Sequence, residues 1–110
     1  MGVEWGSLGD GAGAPETGER TESIASGPGW RIEQILSGRL DAPVDDVLDH
    51  PEWALVLDGA AELEVDGVPH SLGPGDWVLL DADLPHRVLT AAPGTRWLTV
   101  HMEDPSGQAH

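Results

Sequence analysis

The sequence predicts an all-β fold, an antiparallel jelly-roll β-barrel of about eight strands that follows a flexible N-terminal arm. From residue 30 onwards, short apolar segments alternate with turn signals about every eight to twelve residues, which is typical of sandwiches and barrels. No segment has a convincing helical pattern. About eight short antiparallel strands fit a jelly roll, which folds a double sheet so that few strand edges stay open.

The chain of 110 residues has room for one domain and one core. Its first 28 residues are mostly small and polar, so burial cannot offset the entropy lost on ordering them. We therefore expect residues 1–28 to form a flexible or partly docked arm, residues 29–103 the barrel domain, and residues 104–110 a disordered tail. Because so small a barrel leaves apolar faces exposed, we also expect a homodimer.

The charge and composition exclude several classes of partner. The formal net charge is −15, and the chain has five arginines and no lysine. A nucleic-acid backbone or an anionic membrane would be repelled, so we expect neither as a partner. The chain has no cysteine, and its start lacks the pattern of a signal peptide. No apolar stretch approaches a membrane span, so we expect a cytoplasmic protein.

The first half of the barrel contains three predicted strands. Trp30 to Ser37 forms the first, and Val44 to Leu48 is a weaker strand interrupted by acidic residues. Trp53 to Leu57 is a nearly continuous apolar run, which is typical of a central strand covered on both faces. Trp53, and Trp77 in a later apolar run, are therefore expected in the core.

A hairpin follows in the second half. Ala60 to Val65 alternates apolar and acidic residues, and Asp66-Gly67 is a strong two-residue hairpin signal because both positions tolerate positive φ. Val68 to Leu72 returns as an edge strand, since Pro69 cannot donate to a sheet. The last three predicted strands are Trp77 to Leu80, His86 to Ala91 and Arg96 to Met102.

Four side chains of metal-ligand type could be brought together by three of these strands. If the chain is extended from His50 onward, His50 and Glu52 lie two residues apart and share a face, while His86 and His101 lie on other strands. Imidazole and carboxylate groups bind zinc, iron, manganese or nickel and leave positions open for substrate. We therefore name His86, Glu52, His101 and His50 as candidate metal ligands. Spacing alone also allows inward polar groups without a metal.

Other inward positions are candidates for binding a small molecule. Trp97 and Thr99 share the face of His101, Val88 shares that of His86, and Val56 shares that of Glu52. An indole could stack on a ligand while excluding water, although core packing explains Trp97 equally well.

Two motifs resemble the signature of the cupin family of small β-barrels. The second cupin motif is G-x5-P-x-G-x2-H-x3-N, in which Gly75 and His86 match the glycine and the histidine. Asp81, Asp83 and Thr90 replace the proline, the second glycine and the asparagine. The resemblance covers residues 30–102 and implies a jelly-roll barrel.

The first cupin motif is G-x5-H-x-H-x3,4-E-x6-G, and only its end matches. Glu52 and Gly59 stand at the glutamate and the final glycine, but the histidine pair is missing from its expected place near Asp46 to Leu48. In the family, these histidines and the glutamate bind one metal ion together with the histidine of the second motif. The resemblance therefore implies metal-ligand roles for Glu52 and His86 only.

Three functional hypotheses remain open. The first is a metal-dependent protein that acts on a small organic molecule, since the family includes dioxygenases, isomerases, decarboxylases, lyases and cyclases. The second is a binding module, such as a sensor or a store, without turnover. The third is a metal-free isomerase or epimerase in which His86 or His101 acts as general base with Glu52 as its partner. The candidate catalytic residues are therefore His86 and Glu52.

Overall fold

The structure is a computed structural model that describes residues 2–9 and 13–103. Within these residues the fold is all-β, with nine strands in two antiparallel sheets, as a jelly roll requires. One sheet has the order β1-β2-β9-β4-β7 and the other β3-β8-β5-β6. The strands are β1 (Glu19–Gly27), β2 (Trp30–Ser37), β3 (Val44–Asp46), β4 (Glu52–Asp58), β5 (Ala61–Val65), β6 (Val68–Leu72), β7 (Trp77–Leu80), β8 (His86–Ala91) and β9 (Thr95–Met102).

Strand β1 lies inside the segment that the sequence predicts to be a flexible arm, so for residues 19–27 the structure differs from that prediction. It pairs with β2 from Glu19↔Ser37 to Gly27↔Trp30. Most of its side chains are exposed, so backbone hydrogen bonds rather than an apolar face hold it in place. A search for apolar periodicity misses such a strand. The tail predicted for residues 104–110 lies outside the described residues.

The segment before β1 touches the outer face of the five-stranded sheet. The backbone carbonyl of Leu8 accepts a hydrogen bond from the buried Gln34 side chain at 3.2 Å, and that of Gly9 accepts one from Arg96 at 2.8 Å. Residues 2–9 therefore cover part of this face.

Strand β4 is central in its sheet, as the sequence predicts, because it pairs with β7 on one side and with β9 on the other. Ala54 and Val56 point inwards and form the core with Ala61 and Trp97.

The prediction that Trp53 and Trp77 are core residues is wrong. Side chains alternate along a strand, so Trp53 lies on the face opposite Ala54, where it is only partly buried. Trp77 packs against it on the outside of the sheet, with ring centroids 6.2 Å apart, and is 60% exposed. The apolar runs therefore predicted the two strands correctly, but they did not show that only one face of each strand is buried.

The predicted hairpin is confirmed in the four-stranded sheet. Asp66 and Gly67 have φ angles of 51° and 79°, so both central positions of the turn are left-handed. Strand β6 then lies at the sheet edge, as Pro69 predicts.

The structure explains why glycine is required after β4. Gly59 has a φ of +93°, and a Cβ atom there would lie 2.3 Å from Thr95 Oγ1. That hydroxyl donates to the carbonyl of Ala92 at 2.6 Å and accepts from the amide of Ala60 at 3.3 Å. Gly59, the last glycine of the first motif, thus lets β4 end against the start of β9.

Across the ranges 2–9 and 13–103, the fold includes no helix of the length and apolarity needed to cross a membrane.

Candidate metal centre and cavity

Each sheet supplies one pair of polar residues at the same end of the barrel. Glu52 at the start of β4 pairs with His101 near the end of β9. Asp46 at the end of β3 pairs with His86 at the start of β8. Glu52, His86 and His101 are buried, with exposed fractions of 7%, 9% and 4%. The two registers therefore gather acids and imidazoles from distant parts of the chain into one region, in which Asp46 alone is exposed.

Asp46, Glu52 and His86 form a triad that could hold a metal ion. One ligand atom from each lies within 4.8 Å of the others. His86 Nε2 is 3.7 Å from Asp46 Oδ2 and 3.9 Å from Glu52 Oε1. Sequence reasoning did not select Asp46, although it stands where the first cupin motif expects a histidine. A carboxylate at that place was the available signal.

The ring of His86 is oriented by the bend before β8. Its Nδ1 lies 3.0 Å from the carbonyl oxygen of Leu84. Because a carbonyl only accepts, Nδ1 carries the hydrogen, and in the neutral ring the lone pair is on Nε2, facing the two carboxylates. Histidines that bind metals characteristically donate their second N–H to such a carbonyl. The left-handed Asp83, whose amide donates to the Leu48 carbonyl at 2.6 Å, fixes the bend.

A chain of hydrogen bonds also fixes the tautomer of His101. His50 Nδ1 lies 2.8 Å from Asp49 Oδ1, and His50 Nε2 lies 2.9 Å from His101 Nδ1. Because the carboxylate accepts from His50 Nδ1, a neutral His50 accepts from His101 Nδ1 through its other nitrogen. A neutral His101 then has its lone pair on Nε2. This buried atom has no hydrogen-bond partner among the described residues, although Glu33 Oε1 is 3.2 Å away and Glu52 Oε2 3.4 Å away.

Of the four predicted ligands, Glu52 and His86 belong to the triad. His101 lies beside Glu52, and His50 lies outside the triad. Glu52 faces His86 through Oε1 and His101 through Oε2. His50 has both ring nitrogens occupied by Asp49 and His101, so it does not face the triad. The prediction of His50 as a ligand is therefore not reflected in the geometry, which gives it the position of a support for His101.

Burial shifts the pKa values of Glu52 and His101. Burial raises the pKa of Glu52, with the neighbouring charge of Asp46 acting in the same direction and His86 opposing it. Burial also lowers the pKa of His101, as does nearby Arg31. The site thus places a carboxylate that is costly to ionise beside an imidazole that is costly to protonate. A bound cation would satisfy both.

A cavity of about 70 Å³ extends from the triad into the barrel. Of the predicted ligand-binding residues, Trp97, Thr99 and Val88 line it, whereas Val56 is not among the lining residues and is completely buried in the core. The other apolar walls come from Ile35, Val44, Ala54, Leu63, Val78 and Leu80. Drug-sized ligands need about 300 Å³ or more, so this volume fits an ion with a very small molecule.

Comparison with known proteins identifies the family. Residues 48–101 match the family described as the cupin domain, a range that includes Glu52, His86 and His101. The comparison with curated proteins found no match.

Several solved structures share the fold. A protein of Ralstonia eutropha JMP134 described as a candidate mannose-6-phosphate isomerase is 29% identical, with a TM-score of 0.79 over 92% of this chain and 99% of that one. KdgF from a Halomonas species is 18% identical, with a TM-score of 0.71 over 92% and 86%. The RmlC-like cupin of Shewanella frigidimarina is 15% identical, with a TM-score of 0.70 over 88% and 80%. The last two are similar in fold alone. Together, the jelly roll, the retained motif residues and the matched family show that the chain is a small cupin-domain protein.

Proposed function

We propose that this protein binds a divalent metal ion through Asp46, Glu52 and His86 and acts on a small organic molecule in the barrel cavity. One observation carries the proposal: the Nε2 atoms of two imidazoles, His86 and His101, face the two oxygens of the same buried carboxylate, that of Glu52. Neither imidazole donates to that carboxylate. A cation is the partner that this arrangement lacks.

The donor set fits zinc, iron, manganese or nickel, all of which accept imidazole and carboxylate ligands. His101 would bind beside Glu52 or hold its second oxygen in place. When bound, the ion would act as a Lewis acid on an oxygen of the ligand. The protein would contribute the apolar walls that exclude water and the hydroxyl of Thr99 within the cavity.

Glu52 and His86 are the groups that could transfer a proton to or from a ligand. Burial raises the pKa of Glu52, which moves this carboxyl towards the range useful for acid–base chemistry. The Ralstonia relative carries the name of an isomerase, a reaction class that depends on such transfers. If no metal binds, the same pair supports the metal-free isomerase that the sequence left open.

Metal binding is tested by loading the purified protein with zinc, iron, manganese or nickel and measuring the bound metal by elemental analysis. We expect roughly one ion per chain, bound at least about 100-fold more weakly by His86→Ala and by Asp46→Asn. His70→Ala is the matched control, because His70 is exposed on edge strand β6. No bound metal, or equal effects of His86→Ala and His70→Ala, would contradict the proposal.

A binding module without turnover is the second candidate, favoured by the small volume of the cavity. Such a protein would be stabilised by its ligand through mass action and would leave the ligand unchanged. Melting temperatures measured with and without a candidate ligand, together with analysis of ligand consumption, separate the two functions.

A homodimer remains a proposal as well. It is supported by the outer face of the five-stranded sheet, where Trp77, Leu79 and Trp30 are 60%, 54% and 41% exposed. Light scattering of the purified protein would give the mass directly, and Trp77→Ser should shift a dimer towards the monomer. The expected cytoplasmic location stays a prediction.

A further inference from the structure

The buried Nε2 atom of His101 faces a second carboxylate besides that of Glu52. Glu33 Oε1 lies 3.2 Å from this nitrogen, and Glu52 Oε2 lies 3.4 Å from it. His101 is 4% exposed, and its Nε2 has no hydrogen-bond partner in the described part of the chain. In the neutral ring, Nε2 is therefore a buried acceptor that faces two further acceptors.

The two distances suit ligands of a single ion. Ligand atoms bound about 2.1 Å from a metal at a tetrahedral angle lie about 3.4 Å apart. The backbone brings Glu33 to this place, because it pairs with Thr99, which precedes His101 by two residues on β9 and shares its face. A cation beside Nε2 would thus have an imidazole and two carboxylates within reach.

Glu33 is held by its other oxygen. Glu33 Oε2 accepts a hydrogen bond from Arg31 Nε at 3.3 Å, and the guanidinium of Arg31 also contacts Glu103. The charge of Arg31 is therefore shared between two carboxylates, and Oε1 of Glu33 stays directed at His101. Carboxylates that bind metals are characteristically hydrogen-bonded in this way.

The carboxylate of Glu52 lies between two sets of ligands. Its Oε1 faces His86 and its Oε2 faces His101. The first set, with Asp46, is already within 4.8 Å, whereas Glu33 is not part of such a group. The second set therefore closes when the side chain of Glu33, which is 20% exposed, turns towards Glu52. Two ions that share a site in this way lie about 3.5–4 Å apart.

We propose that Glu33, His101 and Oε2 of Glu52 form a second divalent-cation site, which Glu52 bridges to the first. The second site rests on the proposed function, because Oε1 of Glu52 is taken as a ligand of the first ion. Repulsion from that ion and from Arg31 makes the second ion the more weakly bound of the two. The first site thus fills alone at about one ion per chain, and the second fills in excess metal.

Titration of the purified protein with Mn²⁺ tests this proposal. Equilibrium dialysis counts the bound ions, and electron paramagnetic resonance distinguishes a bridged pair from isolated ions, because neighbouring Mn²⁺ ions couple magnetically. We expect the first ion to give the signal of an isolated Mn²⁺. The second ion, bound at least about tenfold more weakly, should replace it with the signal of a coupled pair. An ion bound only by surface acids of this chain, whose net charge is −15, would stay uncoupled.

Glu33→Gln should abolish the coupled signal and keep the first ion. Glu62→Gln is the matched control, because it makes the same change at an exposed position of β5 and should keep the coupled pair. Saturation of the wild type at one ion, a second ion without coupling, or equal effects of the two variants would overturn the proposal. The first two of these outcomes need no variant, so they decide even if Glu33→Gln is unstable.

Asp46→Asn, measured in the same way, separates this site from the first. An ion that depends on Asp46 without a second that depends on Glu33 contradicts the second site alone. An ion that depends on Glu33 without one that depends on Asp46 contradicts the proposed function alone. No bound ion contradicts both.

Discussion

The two ends of strand β9 both bury polar side chains, but only one end satisfies them. At the first end, Thr95 Oγ1 donates to the carbonyl of Ala92, and Trp97 Nε1 donates to Ser37 Oγ. Ser37 in turn donates to Glu19. Each of these donors has an acceptor, as is normal for buried polar groups. This end stabilises the fold by closing the loops around the barrel.

At the other end of β9, the buried groups oppose one another. His101 Nε2 lacks a hydrogen-bond partner in the described part of the chain, although carboxylate oxygens of Glu33 and Glu52 lie 3.2 and 3.4 Å away. Leaving such groups unsatisfied costs stability, roughly 1–3 kcal/mol for each neutral group. Polar residues at the Thr95 end thus satisfy one another, whereas those at the His101 end do not, and this contrast supports the proposal of a bound cation at the His101 end.

The largest expected effect comes from Glu52→Gln, which removes the carboxylate shared by the two imidazoles. Metal affinity should fall at least about 100-fold, because a neutral amide is a poor ligand for these ions. The metal-free variant should be more stable than the wild type at pH 7, since a buried charge is lost. Metal titration and urea unfolding measure the two effects, with exposed Glu62→Gln as control. The contrast between the two ends of β9 would be contradicted if Glu52→Gln bound metal as tightly as the wild type. It would also be contradicted if the metal-free variant were less stable than the metal-free wild type.

The next largest effect is a loss of stability at the Thr95 end of β9. Thr95→Val keeps the shape of the side chain but removes the buried hydroxyl that donates to the carbonyl of Ala92 and accepts from the amide of Ala60, so the free energy of unfolding should fall by about 1–3 kcal/mol. Metal affinity should not change. Thr90→Val, at an exposed position of β8, is the control and should leave the stability nearly unchanged. If Thr95→Val weakened metal binding as strongly as Glu52→Gln does, the two ends would not be functionally separate.

A smaller effect is expected in the pH dependence of the metal-free protein. The pKa of Glu52 is higher in the folded state than in the unfolded state, so its contribution is fully present below the unfolded value and is lost as pH rises through the folded value. The pKa of His101 is lower in the folded state, so its contribution is lost as pH falls below the unfolded value near 6.5.

Unfolding of the wild type and Glu52→Gln across the acidic to neutral range separates these two contributions. The stability of Glu52→Gln relative to the wild type should increase as pH rises from about 4 towards 7. Bound metal should remove this difference in slope for the wild type, because it stabilises the ionised carboxylate. A difference that stays constant with pH would mean that Glu52 ionises without cost.

Local patterns in the sequence were sufficient for most of the barrel. Apolar alternation and turn residues located β4 and the β5–β6 hairpin, since both depend on neighbours in the chain. Strand β1 was missed because it is held by backbone pairing with β2 and has no apolar face. The exposure of Trp77 was missed because an apolar run does not reveal that one face of the strand is left uncovered.

The candidate site was predictable only in part. Glu52 and His86 followed from the cupin motifs, and His101 followed from alternation along a regular strand. Asp46 could be chosen only with the register of β3 against β8, which places it directly opposite His86. His50 lies outside the triad because it precedes the start of β4, beyond Pro51, where the alternation of a strand no longer applies.

The most direct measurement is a crystal structure of the metal-loaded protein with anomalous diffraction data collected at the absorption edge of the metal. We expect an anomalous peak between His86 Nε2 and the carboxylates of Glu52 and Asp46, at bonding distance from each. A peak confined to surface carboxylates, or no peak beside Glu52 in protein that elemental analysis shows to be loaded, would contradict it.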